Sequence, residues 1–265
     1  MTQVFESGGP WAEAGIDPVK IALPNGVVGY TLRAYRPASE VTPTDAEAPA
    51  EEADDLFAAR ERARAAEEAS ELADTMVDDR DTVQYEHDEP EPADFDEDSA
   101  PPPDEEVPLF LSHRGKLLLF GSAESLVEFV RSGAPHDMEQ LESWSTVSKQ
   151  VQPSQVAPAD DDTYELDLVV ENLRGGHDAW DMTLLIAAGE IARDLGYALR
   201  LQPVIQAMSP GSPLDDLDDA LRATANGGIG GLFARRRLRR IGAQQASLGW
   251  RTVIGKITAA IDWRD

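Results

Sequence analysis

The sequence predicts an α+β fold, in which a small antiparallel sheet of two hairpins carries a packed helix and precedes a mostly helical C-terminal half. Three observations lead to this prediction. Two strand-like blocks with turn residues flank an acidic segment at 38–106, and apolar residues recur at helical spacing after residue 160. The chain has no cysteine, so disulfides and cysteine-ligated metals are excluded and the fold depends on an apolar core.

The first hairpin occupies residues 1–37, the N-terminal part of the predicted α+β domain. Apolar residues alternate along 19–23, Asn25-Gly26 is a favoured two-residue turn, and a second strand follows at 27–36. The N-terminus lacks the basic start and apolar run of a secretory signal. No stretch approaches the roughly 20 apolar residues that cross a bilayer. The sequence therefore predicts a cytoplasmic protein without a transmembrane segment.

The acidic charge belongs to residues 38–106. The 265 residues contain 23 Lys+Arg and 50 Asp+Glu, a formal net charge of -27. The segment holds 26 acidic side chains and four arginines, which is -22, so the other 196 residues carry only -5. Fourteen of its 23 apolar residues are alanine, and low hydrophobicity with high net charge is typical of disorder. We interpret it as a long disordered insertion within one domain.

Residues 107–147 are expected to complete the α+β domain. Apolar strands at 109–111 and 116–120 flank a turn at 113–115 and form the second hairpin. Ser122 is a helix N-cap, and Gly133 ends that helix. A second short helix is expected around 137–144.

Residues 148–159 are expected to form a connector, and residues 160–265 a helical region with a basic end. Asp162 and Glu165 fit a helix start, with an apolar stripe from Leu166 to Leu173. The longest amphipathic pattern covers 180–195, and Ser212 caps a helix at 214–223. A last apolar stripe, at 250–261, predicts a helix ending near Trp263. We interpret that stripe as core packing, with a membrane-surface or dimer face as the alternative.

A basic segment is the strongest candidate site. Residues 229–265 hold eight basic and two acidic residues, a local charge of +6. Five arginines lie close together: Arg235, Arg236, Arg237, Arg239 and Arg240. They cover most of a helix circumference, which predicts contact with phosphates, an acidic protein or an anionic surface. Alternatively, they fold back on the acidic insertion of this chain.

Glycines precede the arginines and form a possible anion loop: Gly227, Gly228, Gly230 and Gly231. Backbone amides ahead of a helix can bind phosphate. However, no strand precedes the run and no Gly-Lys-Ser/Thr ending follows it, so a flexible hinge is the favoured interpretation. A nucleotide- or small-molecule-binding enzyme that uses 227–231 is the alternative function.

Catalytic and metal motifs are scarce. The four histidines lie far apart and show no metal-ligand spacing. The sequence lacks a G-x-S-x-G elbow. We therefore predict no catalytic residue, metal or cofactor. The sequence favours an adaptor over an enzyme.

One family resemblance adds an expectation about biology. The segment 109–130, LFLSHRGKLLLFGSAESLVEFV, is followed by Trp144 and, after a Pro-Ala-Asp connector, by YELDLVV at 164–170. This order resembles uncharacterised actinobacterial proteins often labelled "primosomal protein", over residues 107–222. The resemblance implies an association with replication and supplies no site residues.

The combined hypothesis is a non-enzymatic cytoplasmic adaptor. Its basic C-terminal segment binds a protein partner or nucleic acid, and the acidic insertion modulates that binding. A structural protein that assembles with copies of itself, as a homo-oligomer, is a further alternative.

Overall fold

The computed structural model describes residues 9–24, 26–42, 101–227, 234, 236–238 and 241–265. Most of the predicted acidic insertion, residues 43–100, lies outside them, as does turn residue Asn25. The strands of the described chain are β1 (Asp17–Leu23), β2 (Val27–Pro37), β3 (Glu106–Phe110), β4 (Ser112–His113), β5 (Lys116–Phe120), β6 (Thr163–Glu165) and β7 (Ile261–Arg264). The α-helices are α1 (Pro10–Glu13), α2 (Ala123–Ser132), α3 (Trp144–Gln150), α4 (Leu166–Arg174), α5 (Met182–Ala198), α6 (Gln202–Ala207), α7 (Pro213–Ala225) and α8 (Ala243–Ala259).

The strands form one mixed sheet, in which β1 and β2 are central. β1 pairs antiparallel with β2 and parallel with β6, while β2 pairs antiparallel with both β3 and β5. β7 lies parallel to β5. The α+β prediction is confirmed. The sheet is larger than the predicted pair of hairpins, because the C-terminal half contributes β6 and β7 through parallel, non-local pairing.

Helices cover both faces of the sheet, and each face has its own apolar core. The larger core joins the face bearing Val19 and Ile21 to α4 through α8. The smaller core joins the opposite face, with Leu32 and Leu118, to α1, α2 and α3. Period-2 alternation along β5 contributes to both cores, since successive side chains point to opposite faces. Leu117 and Leu119 belong to the larger core, and Leu118 and Phe120 belong to the smaller one.

The predicted helix caps are confirmed where the signals were specific. The Ser122 side chain accepts from the Ser125 amide, and Gly133 ends α2 at a positive φ of 70°, a conformation that glycine adopts without steric cost. Ser212 caps α7 in the same way. Trp250 and the other inward residues of the last stripe are buried in the larger core, as the core-packing interpretation predicted.

The second hairpin is tighter than predicted. Ser112 and His113 pair with β5 around a two-residue turn at Arg114 and Gly115, both with positive φ. This is the backbone geometry of a type I′ turn, which matches the twist of paired strands. Residues 109 and 110 instead belong to β3 and pair with β2.

Helix boundaries also differ from the sequence prediction between residues 137 and 155. Residues Asp137–Gln140 form a 3₁₀ helix and α3 begins only at Trp144. Met138, Leu141 and Trp144 are buried at a spacing of three, which suits the 3₁₀ period. The predicted connector contains Gln150, the last residue of α3, and a 3₁₀ turn at Pro153–Gln155.

In the C-terminal half, pairing with distant strands replaces predicted helix. α4 begins at Leu166 rather than near Asp162, because residues Thr163–Glu165 pair with β1. Similarly, α8 ends at Ala259 because Ile261–Arg264 pairs with β5.

The two described ends that flank residues 43–100 lie side by side. Ala38 donates its amide to the Glu105 carbonyl at 2.8 Å, and Ser39 donates to the Pro103 carbonyl at 3.1 Å. The chain therefore leaves β2 and returns to β3 at one place in the sheet.

Candidate functional site

The basic segment is held to the protein by two apolar side chains. Residues 234 and 236–238 are helical, and Ala234 and Leu238 are buried, each with 8% of its surface exposed. Arg236 and Arg237, which lie between them, are exposed. Because residues four apart share one helix face, this anchoring directs the two arginines outward. Arg235, Arg239 and Arg240 lie outside the described residues.

Arg237 forms an ion pair with Asp216 of α7, and both side chains are about half exposed. Asp216 neighbours a more buried network in which Arg193 binds Asp215 and Asp218, while Arg222 also binds Asp218. Asp218 is buried, and its Oδ1 has no hydrogen-bond partner among the described residues. Arg237 of the basic segment thus lies next to an acidic side chain of α7.

The possible anion loop is represented by Gly227 alone, which follows α7 with a φ of 69°. Gly228, Gly230 and Gly231 lie outside the described residues. The nucleotide-binding alternative therefore stays a prediction.

A buried charge cluster around Arg33 was not predicted. Arg33 lies on β2, on the face of the larger core, and its side chain is 6% exposed. It donates to Asp162 at 2.8 Å, to Asp194 at 2.9 Å and to the Tyr164 hydroxyl at 2.9 Å. Its Nε has no partner among the described residues. The cluster joins β2 to the segment preceding β6 and to α5.

Tyr35 completes this cluster by donating its hydroxyl to Asp194 at 2.5 Å. Burial raises the pKa of Tyr35 and that of Tyr164, the latter to about 12. Burial also raises the pKa of Asp162 and of Asp194, although Arg33 acts in the opposite direction on both. Arg33 and Tyr35 share one face of β2 by period-2 spacing, which is the only local signal of the cluster. The aspartates are 129 and 161 residues away.

Three of the four histidines are described, and they lie apart. His136 is buried against Trp144, with ring centroids 4.4 Å apart, and its Nδ1 has no described partner. Burial, with a smaller effect of His113, lowers the pKa of His136 to about 4. His177 Nε2 lies 2.8 Å from the Ile241 carbonyl. Within the described ranges, no group of three potential ligands could hold a metal.

A shallow pocket of about 370 Å³ lies between α2, α3 and the intervening 3₁₀ helix. Trp144, Arg131, Glu139 and Lys149 are among its lining residues. Arg131 donates to the Val151 carbonyl at 2.5 Å, so this cationic side chain of the pocket already has a hydrogen-bond partner within the chain.

Comparison with known sequences identifies the family. Residues 99–258 match the family model described as the SatS C-terminal domain. The chain belongs to the SatS C-terminal domain family. The matched range omits β1, β2 and β7 of this SatS C-terminal domain, although they belong to the same sheet.

A solved structure shares the fold. The chain is similar to "The crystal structure of SatS c-terminal domain in complex with bromine", with a TM-score of 0.59 and 19% identity. The similarity covers 96% of this chain and 96% of that chain. No curated protein matches. Within the described residues, no helix is long and apolar enough to cross a membrane.

Proposed function

We propose that this chain is a cytoplasmic, non-enzymatic adaptor whose basic segment, residues 229–265, binds a polyanionic partner. The observation that carries the proposal is the outward placement of Arg236 and Arg237 on a segment anchored by Ala234 and Leu238. The segregation of charge, with -22 at 38–106 and +6 at 229–265, also supports binding of a polyanion by the basic segment.

Nucleic acid is the polyanion to test first, and a replication-associated role would follow from the resemblance of residues 107–222. Arginine binds phosphate through two parallel hydrogen bonds, which favours it over lysine for such contacts. An acidic protein surface is the second candidate. The ion pair between Arg237 and Asp216, within this chain, supports a carboxylate-bearing surface as that candidate.

The acidic insertion would compete with an external polyanion for the basic segment. Its ends lie together at the junction of β2 and β3, so residues 43–100 can be deleted by joining Thr42 to Pro101 through a short linker without cutting the sheet. We expect the deletion to strengthen binding to duplex DNA or to RNA. Neutralising three phosphates would produce a log-log salt slope of about -2.7 on duplex DNA.

The decisive variant replaces all five arginines at 235, 236, 237, 239 and 240 with glutamine. A matched control replaces five exposed basic residues elsewhere with glutamine: Arg114, Lys116, Lys149, Arg174 and Arg200. Both variants lose the same charge, so only a localised site distinguishes them. Fluorescence anisotropy should show binding lost in the first variant and retained in the control. Equal loss in both, or no salt-dependent binding by the deletion variant, would contradict the nucleic-acid proposal.

A further inference from the structure

β7 is an edge strand whose main chain faces outward at alternate residues. Among the described strands, it pairs only with β5. Leu117 donates its amide to the Ala260 carbonyl at 2.9 Å, and Leu117 is in register with Ile261. In a parallel ladder the polar groups of alternate residues point to opposite sides. Asp262 and Arg264 therefore direct their main chain toward β5, whereas Ile261 and Trp263 direct theirs away from the sheet.

The side chains around this edge are aromatic and oppositely charged. Trp263 is 41% exposed, although it packs over Gly29, where an added Cβ would lie 3.0 Å from its ring. The side chains of Asp262 and Arg264 lie on the opposite face of the sheet from Trp263. They pair with each other, with Arg264 Nε 3.0 Å from Asp262 Oδ2. Exposed edges of this kind pair readily with a second strand.

We infer that β7 pairs antiparallel with β7 of a second copy of this chain, about a twofold axis through Trp263. The axis places the two Trp263 residues opposite each other as a hydrogen-bonded pair, which uses their outward amides and carbonyls. It also places Asp262 of each copy opposite Arg264 of the other, at the closer, non-hydrogen-bonded position. The strand is therefore complementary to itself in main-chain direction and in charge.

Charge complementarity selects this register over its neighbours. A shift of the axis by one residue would place Asp262 against Asp262 or Arg264 against Arg264, and like charges directly opposite each other destabilise a strand pair. It would also centre the pair on a residue whose main chain already bonds to β5. The interface is small, below the roughly 1,200 Å² that marks stable complexes, so the association is weak and reversible.

The test is sedimentation of the full chain over a wide concentration range. The average mass should rise with concentration from 28.8 kDa toward twice that value. Asp262→Arg alone and Arg264→Asp alone should each weaken association at least about tenfold, because each creates two like-charged pairs across the axis. A mass that stays at one chain throughout, or single variants that associate as the wild type does, would overturn the proposal.

Mixing the two single variants tests the proposed register most directly. Asp262→Arg leaves two arginines on the strand and Arg264→Asp leaves two aspartates, so an equimolar mixture of the two variants should associate as tightly as the wild type, at least about tenfold more tightly than either variant alone. The double variant Asp262→Arg/Arg264→Asp should associate as the wild type does. Leu248→Arg, on the exposed face of α8, is the matched control and should have no effect. Failure of the mixture to associate, with both variants folded by circular dichroism, would overturn the register.

A covalent trap provides a second measurement. The chain has no cysteine, so Trp263→Cys introduces a single thiol. A hydrogen-bonded pair holds its Cα atoms about 5.5 Å apart, within the range that a disulfide spans. Oxidation by added oxidised glutathione removes two electrons and two protons from the two thiols, and forms one disulfide per dimer. Trp263→Cys should crosslink at least about tenfold faster than the exposed control Thr258→Cys, and equal rates would contradict the proposed axis.

Discussion

The two faces of the central sheet accommodate a buried basic side chain in opposite ways. On the face of the larger core, Arg33 keeps its charge and is surrounded by Asp162, Asp194 and two tyrosine hydroxyls. On the face of the smaller core, His136 lies among aromatic rings, and burial lowers its pKa to about 4, so it is neutral at pH 7.

The difference follows from what each side chain can do with its proton. An arginine stays charged in proteins, so burying it requires partners of opposite charge. A histidine can avoid the cost of a buried charge by losing its proton. Four substitutions or conditions test this comparison.

Replacing Arg33 with methionine should have the largest effect. Arg33→Met removes the cation but leaves Asp162 and Asp194 mostly buried, and breaking a buried pair in this way costs about 3–5 kcal/mol of unfolding free energy. Urea denaturation at pH 7 measures the loss. If the triple variant Arg33→Met/Asp162→Asn/Asp194→Asn is no more stable than Arg33→Met, uncompensated charge is not the cause. A loss below about 1 kcal/mol for Arg33→Met would contradict the importance of the cluster.

Acid should destabilise the protein through His136. The pKa of His136 is lowered in the folded state, so the unfolded chain binds more protons between pH 6.5 and pH 4, and stability falls as the pH decreases through that range. A difference of about 2.5 pKa units corresponds to about 3 kcal/mol.

His136→Phe removes the titrating imidazole, so the free energy of unfolding should depend less on pH between pH 6.5 and pH 4. The control is needed because the pKa values of Asp162 and Asp194 are raised in the folded state. Those carboxylates bind protons more readily when folded, so they favour folding as the pH falls toward 4, which opposes the effect of His136. The difference between wild type and His136→Phe isolates the histidine. Parallel profiles for the two proteins would show that His136 does not titrate in this range.

Tyr35→Phe should have an intermediate effect. The Tyr35 hydroxyl donates to Asp194, which also accepts from Arg33, so the variant leaves a buried carboxylate oxygen with one donor fewer. Loss of one partner of a buried polar group costs about 1–3 kcal/mol. Tyr30→Phe is the control on the same strand, since Tyr30 lies on the opposite face, against the smaller core. A double-mutant cycle with Asp194→Asn should show coupling, and additive effects would contradict a shared hydrogen bond.

These residues also show which features could be predicted from sequence. Ser122, Gly133 and Ser212 act locally, within one turn of their own helices, so their roles could be read from neighbouring residues. The prediction of helix near Asp162 and at Ile261 was wrong because β6 and β7 pair with strands more than 100 residues away in sequence. Arg33 offered little local signal for the same reason. The five arginines were conspicuous, but the pairing of Arg237 with Asp216 became visible only in the structure, which places α7 beside it.

Arg237→Met should have the smallest effect on stability. Its ion pair with Asp216 joins side chains that are 52% and 47% exposed, and such surface pairs contribute about 0–1 kcal/mol. Arg33→Met and Arg237→Met remove the same side chain from an aspartate contact, so the difference between their unfolding free energies measures what burial adds. Salt at 1 M should abolish the small effect of Arg237→Met but leave most of the Arg33 effect, because screening acts mainly on exposed charges. A cost for Arg237→Met above about 2 kcal/mol would mean that the segment is part of the folded framework. A weak pair is instead what the proposed function requires, since Asp216 must release Arg237 before an external polyanion can bind it.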